Sequence, residues 1–176
     1  MKFKISIIIV AIFALFYANF SVFASNSTLE STKIAALDVL AEDSEVQLTS
    51  DEREMFNLVN AARVERGLPP YQLDAELVKL ARLKAEDMVE HGYFAHISPT
   101  FGSPFEMMKN FGVIYNSAGE NIAENRTVAG AHSALMLSDS HRANVLSERF
   151  GKVGIGIVSG PREFKTMVQM FIEPIE

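Results

Sequence analysis

The chain has no cysteine among its 176 residues, so outside a reducing compartment it must be held together by core packing and not by a disulfide framework. It is also short of basic charge: 16 Lys and Arg stand against 22 Asp and Glu, a formal net charge of −6. That balance argues against unassisted nucleic-acid binding, which draws much of its affinity from cationic side chains on phosphate. Long apolar runs are missing with one exception, Ile5 to Tyr17, and no later segment is apolar enough to cross a bilayer. No internal repeat, HExxH helix or GxSxG elbow occurs.

The single apolar run follows Lys2 and Lys4 and precedes Val22 and Ala24, small residues at the minus-three and minus-one positions of a cleavage site. At thirteen residues it falls short of the ~20 that a spanning helix needs. Residues 1–24 therefore read as a secretory signal peptide, and the mature protein as secreted or cell-surface associated, with no stable membrane span after cleavage. Residues 25–50, rich in Ser, Thr and acids, read as a linker or weakly ordered arm in which KIAALDVLAED offers one short helix. With 48% apolar and 22% charged residues overall, the remainder, 51–176, suits one globular domain.

Inside that domain the helix signals are strong. Thr49 and Glu52 suit a capping box, followed by Met55, Phe56, Leu58, Val59 and Ala62 on one face, until Gly67. Asp74 opens a second helix that carries Leu77, Leu80, Ala81, Ala85, Met88 and Val89 and ends at Gly92. Ser103 and Pro104 open a third, closed by Gly112, and Thr127 a fourth. The period then changes: Val153, Ile155 and Ile157 alternate with glycines, SGPRE turns, and Phe164 to Ile172 alternate again, predicting a β-hairpin. Helices followed by antiparallel strands, without a βαβ rhythm, predict an α+β fold.

Three ionisable residues lie where elements meet: His96 in YFAHISP, Glu120 in the Gly/Asn-rich stretch AGENIA, and His141 in the polar turn SDSHRANVL. Two imidazoles and a carboxylate are a ligand set that zinc or a similar divalent ion accepts, and Glu120 is then a candidate proton acceptor. The gaps of 24 and 21 residues match no compact metal motif, so histidines that satisfy the core or a cap, and an acid buried in a tight loop, explain the same residues. Ser138 and Ser140 beside His141 suggest a serine nucleophile, but neighbours in sequence rarely face one another, which leaves Ser138 and Asp139 as helix-end or turn residues. His132 sits on the fourth helix as a partly buried face residue, and His91 ends the second helix against its last carbonyls.

Together, LVNAARVERGLPPYQLDAELVKLARLKAEDM, YFAHISP, AGENIA, AHSALMLSDSHRANVLSERFGKVGIGI and VQMFIEP resemble, in order, the bacterial extracellular branch of the CAP superfamily of cysteine-rich secretory proteins, antigen 5 and pathogenesis-related proteins. The resemblance covers about residues 51 to 173. It implies a three-layer α-β-α sandwich with a small, mainly antiparallel sheet. It also implies a central cavity lined by two histidines and two glutamates, with the histidines able to hold a divalent metal.

The family's histidines fall on His96 and His141, and the glutamate of its GEN motif on Glu120. The second glutamate falls on Ser138, so this chain keeps three of the four groups, with Asp139 a candidate replacement and His132 a further lining residue. Three function classes follow: a secreted module binding lipid, sterol or cell-wall material, which the resemblance favours; a metal-dependent hydrolase with His96 and His141 on zinc and Glu120 as base; and a structural envelope or spore-coat protein.

Overall fold

The computed structural model describes residues 46–175. The signal peptide, the arm as far as residue 45 and the helix over KIAALDVLAED lie outside the described residues. Described are α1 (Ser50–Val64), β1 (Gln72–Leu73), α2 (Ala75–His91), α3 (Pro104–Asn110), β2 (Ser117–Asn125), α4 (Val128–Leu137), α5 (Asp139–Val145), β3 (Lys152–Ser159), a short 3-10 turn (Pro161–Glu163) and β4 (Lys165–Glu173). None of these helices is long and apolar enough to cross a membrane.

Local chemistry sets the helix ends. Thr49 and Glu52 form the reciprocal capping box at the start of α1, and Ser103 and Glu106 do the same for α3, with Pro104 in its first turn. Asp74 accepts the Leu77 N–H at 3.2 Å to cap α2, which ends at Gly92 in the left-handed conformation, φ 65°. Thr127 accepts the Gly130 N–H to open α4.

The sheet order is β1-β3-β4-β2; β1 runs parallel to β3, and the other neighbours are antiparallel. One face presents Val153, Ile155, Met167 and Phe171 to α1, α4 and α5. The other presents Ile122, Val168, Met170 and Ile172 to α2 and α3. This is an α+β fold in three layers. On that second face Gly154 and Gly156 let α2 lie directly on β3: a Cβ at either position would meet helix backbone at 2.1 to 2.2 Å.

Two segments depart from the sequence-based expectation. AGENIA is not a loop but the middle of β2, paired with β4 from Ser117↔Glu173 to Asn125↔Lys165. SDSHRANVL is not a turn, because its residues from Asp139 to Val145 form α5. The sheet is also interleaved with the helices, since β1 and β2 precede the hairpin.

Candidate functional site

Strand β2 is an edge strand, and its alternation sends successive polar side chains to opposite layers. Glu120, opposite Met170, belongs to the α2 face; Asn121, opposite Gln169, belongs to the α5 face. The Glu120 side chain is 2% exposed, and its Oε1 accepts from His96 Nδ1 at 2.7 Å. Burial pushes the Glu120 carboxyl above its ordinary value, against the His96 hydrogen bond and the Lys84 charge, which pull it down. Its Oε2 is buried without a hydrogen-bond partner. The His96 ring itself is half exposed.

His96 sits in the loop after α2, and two buried charges on that helix hold the loop. Lys84 Nζ donates to Ala95 O at 2.8 Å and to Tyr93 Oη at 3.1 Å. Asp87 accepts from Ser98 Oγ at 2.6 Å, from Thr100 Oγ1 at 2.6 Å and from Tyr93 Oη. Burial alone would raise the Asp87 carboxyl, but these three hydroxyls and His91 hold it below its ordinary range. Burial pushes the Tyr93 phenol up to about 12, so it donates to Asp87 throughout the neutral range.

His141 arrives from the opposite layer on the first turn of α5. An amide relay fastens that helix to the strand: Asn121 Nδ2 donates to His141 O and Gln169 Oε1, both at 3.0 Å, and Asn144 Nδ2 donates to Asn121 Oδ1 at 2.8 Å and Glu120 O at 3.3 Å. His141 Nδ1 lies 2.9 Å from Ser138 Oγ. Burial, and after it the His96 charge, lower the basicity of His141. Each ring thus has Nδ1 engaged by the protein, which leaves Nε2 for a ligand.

Of the residues expected at the site, His96 meets Glu120 and His141 meets Ser138, as two separate pairs. The Ser138–His141 contact contradicts the expectation that these neighbours do not meet: one helical turn brings position i onto i+3. Among the described residues no carboxylate orients the other ring nitrogen of His141, so the pair stops short of a hydrolase triad. Asp139 does not replace the missing glutamate; its side chain is 93% exposed and paired with Arg142. His132 is perturbed by burial alone, its Nδ1 buried without a partner, and no interaction joins it to the group.

Lys84, Asp87, Tyr93, Asn121, Asn144 and Gln169 were not singled out from sequence, yet Lys84 had a signal. It interrupts the apolar stripe of α2 between Ala81 and Met88, and a charge at a core position needs a buried partner. Three cavities of about 550, 540 and 520 Å³ have linings that include none of His96, Glu120 and His141.

Comparisons with known proteins agree with this fold. The Bacillus subtilis (strain 168) protein YkwD is 47% identical over 108 residues, 61% of this chain and 42% of that protein. An extracellular protein containing an SCP domain from Bacillus anthracis str. Ames superposes with a TM-score of 0.65 at 29% identity, over 73% of this chain and 45% of that one. An outer surface protein of Borrelia burgdorferi shares the fold, with a TM-score of 0.67 at 18% identity over 74% of this chain and 97% of that one. The chain thus spans less than half the length of YkwD and of the Bacillus anthracis protein. The sequence model of the cysteine-rich secretory protein family, CAP, matches residues 56–171, a stretch that holds Lys84, His96, Glu120 and His141 together, and the chain belongs to that family.

Proposed function

We propose that the chain is an exported ligand-binding module in which the Nε2 atoms of His96 and His141 hold a divalent cation of the zinc type. They do so beside an exposed apolar surface that receives lipid, sterol or cell-wall material. The observation that carries this reading is the His96–Glu120 pair. A carboxylate 2% exposed grips Nδ1 of a half-exposed imidazole at 2.7 Å, the outer-shell arrangement that orients a metal-binding histidine and raises its basicity. Ser138 Oγ, 2.9 Å from Nδ1 of His141, orients that ring without adding a charge.

Among the described residues no three of His, Asp and Glu are grouped to hold a metal ion. The donor set therefore fits an exchangeable cation on two imidazoles, with water or ligand completing its shell, and does not fit a closed structural zinc site. Phe94 and Ile97, 45% and 62% exposed, flank His96 in sequence, and Leu137, 83% exposed, precedes Ser138. Apolar surface next to a polar centre supports an amphiphilic ligand. Residues 1–24 supply the export signal in this reading.

Calorimetric titration of zinc into residues 25–176 tests it. Stoichiometric binding by the parent, abolished in a His96→Ala/His141→Ala variant, is expected; no binding by the parent overturns the metal centre. A second reading, a metal-dependent hydrolase, draws on one observation: Glu120 Oε2 is unpartnered on a carboxyl pushed up by burial, which suits a general base. A Glu120→Ala variant that hydrolyses peptides as fast as the parent removes Glu120 from that role.

A further inference from the structure

We infer that Lys84 is the positioning residue of the His96–Glu120 pair, gripping the histidine loop by its backbone while opposing the buried carboxylate with its charge. The inference rests on the proposed two-histidine centre, but concerns how the chain builds that centre before any ligand arrives.

Lys84 is 1% exposed, as deeply buried as a core leucine. A lysine there has lost its water, and burial lowers its basicity accordingly. Stability alone would favour an apolar side chain at this place in the α2 stripe, since a buried charge is tolerated only where its partners are good. Its partners are specific. One ammonium hydrogen goes to the carbonyl of Ala95, the residue before His96, and another to the Tyr93 phenol, where the same loop begins. The charges that act on Lys84 are those of Glu120 first and Asp87 second. Glu120 in turn is drawn down by His96 and Lys84. Lys84 is therefore joined directly to the histidine half of the pair through its loop, while it makes no ion pair within 4.0 Å of Glu120 and its charge reaches that carboxyl only at longer range.

Asp87, one turn further along α2, has the complementary task. Its oxygens collect the Tyr93, Ser98 and Thr100 hydroxyls, and Ser98 Oγ accepts the backbone N–H groups of Thr100 and Phe101, so the far side of the loop is tied down without reaching Glu120. This division of labour makes the inference testable. Removing the Thr100 tie to Asp87 loosens the loop only beyond Ser98; removing Lys84 loosens it at Tyr93 and Ala95, beside His96, and takes away a charge that lowers the Glu120 carboxyl.

The experiment uses the exported chain with ¹⁵N-labelled side chains. In the parent, the Lys84 ammonium is expected to exchange slowly with water and to show a coupling across its hydrogen bond to the Ala95 carbonyl, while the His96 Nδ1 proton resonates far downfield. A Lys84 ammonium that exchanges as fast as surface lysines overturns the inference without any variant. In Lys84→Met the His96 Nδ1 proton is expected to lose its downfield position, and zinc affinity to fall by about 10- to 100-fold, the usual effect of removing an outer-shell partner. Lys84→Arg, which can still reach Ala95 O, should recover most of both.

Thr100→Val, which removes one Asp87 tie, should leave both unchanged even where it lowers the melting temperature, so a purely structural role for Lys84 is told apart. A folded Lys84→Met with the parent's His96 signal overturns the inference. If the parent binds no zinc, the metal centre fails, and the His96 and Lys84 signals still decide whether Lys84 positions the pair.

Discussion

The two glycines of β3 offer the most direct perturbation of the layer contact on which the site depends. In Gly154→Ala the new methyl carbon would lie 2.1 Å from the Leu77 carbonyl carbon, 2.3 Å from Leu77 Cβ and 2.4 Å from Leu77 O. In Gly156→Ala it would lie 2.2 Å from both the Ala81 carbonyl carbon and the Arg82 nitrogen. Ordinary contact begins near 3.4 Å, and the atoms in the way are helix backbone, which no rotamer change can clear. Helix α2 must retreat from the sheet by roughly an ångström. Overpacking of a core typically costs ~1–3 kcal/mol, and a gap of ~0.5–1 Å forfeits a quarter to a half of the dispersion attraction along the surface it opens.

Because α2 buries Leu77, Leu80, Ala81, Ala85 and Met88 together, each substitution should reach the upper end, about 3 kcal/mol. With a urea m-value of ~1–3 kcal/mol/M, the midpoint should fall by at least about 1 M. The double variant should lose less than the sum of the two, since the second methyl enters a space the first has already opened. Gly119→Ala is the control: its nearest obstacles are the Asn144 Oδ1 and the Phe150 ring edge at 2.9 and 3.1 Å, side-chain atoms that can turn aside, and it should lose only about 1 kcal/mol. Urea unfolding of all four variants decides the matter. If Gly154→Ala and Gly156→Ala each stay within about 0.5 kcal/mol of the parent, the close seating of α2 on β3 is wrong.

Two further predictions concern buried groups elsewhere. Arg63 is 1% exposed, donates to Pro69 O, Val145 O and Ser147 O at 2.8 to 2.9 Å and stacks 3.5 Å from the centre of the Tyr71 ring; Arg63→Met leaves the Pro69 and Val145 carbonyls unpaired, Ser147 O keeping only the Tyr71 hydroxyl, and should cost about 3 kcal/mol in thermal unfolding, with a melting temperature within 2 °C of the parent, a shift that would correspond to well under about 1 kcal/mol, refuting the assignment. His132 is held below its ordinary value of 6.5 by burial, so the folded state binds fewer protons than the unfolded chain below that pH; its contribution to stability is present above 6.5 and is lost as pH falls through the lowered folded value, and His132→Leu should flatten that limb of a stability–pH curve.

Legibility from sequence followed whether an element's signal was local. Thr49, Asp74, Ser103 and Thr127 announce helices because a cap is written within three residues of itself, and Gly92 ends α2 for an equally local reason. Strand β2 was opaque because its central side chains, Glu120 and Asn121, are polar yet buried; what makes them tolerable is Gln169 and Asn144 on one face and His96 on the other, all distant in the chain. Helix α5 was opaque for a related reason. Ser, Asp, His and Asn are weak helix formers, and its C-terminal carbonyls are satisfied by Arg63 and the Tyr71 hydroxyl, 73 or more positions away in sequence. The His96–Glu120 pair was legible through the order of family motifs, not through their spacing.

That pattern explains why the polar centre sits at the edge of the sheet. Inside the sheet, both faces of every strand are closed by helices, and a polar side chain there would need a partner within the core. At β2 one side of the strand has no neighbouring strand, so residues of opposite facing meet elements that arrive from opposite layers: Glu120 takes the loop hung from α2, and Asn121 takes the first turn of α5. Two adjacent residues thus anchor two histidine-bearing segments whose histidines lie 45 residues apart in the chain. The supports differ in kind, and this has a functional consequence. His141 is fastened by a chain of neutral amides, whereas His96 is fastened by buried charges, Lys84, Asp87 and Glu120. Neutral amide bonds are indifferent to protonation, but the charged supports act at low effective dielectric and over longer range. Substitutions in the charged layer should therefore alter how His96 presents its nitrogen, while substitutions in the amide layer should alter where α5 sits.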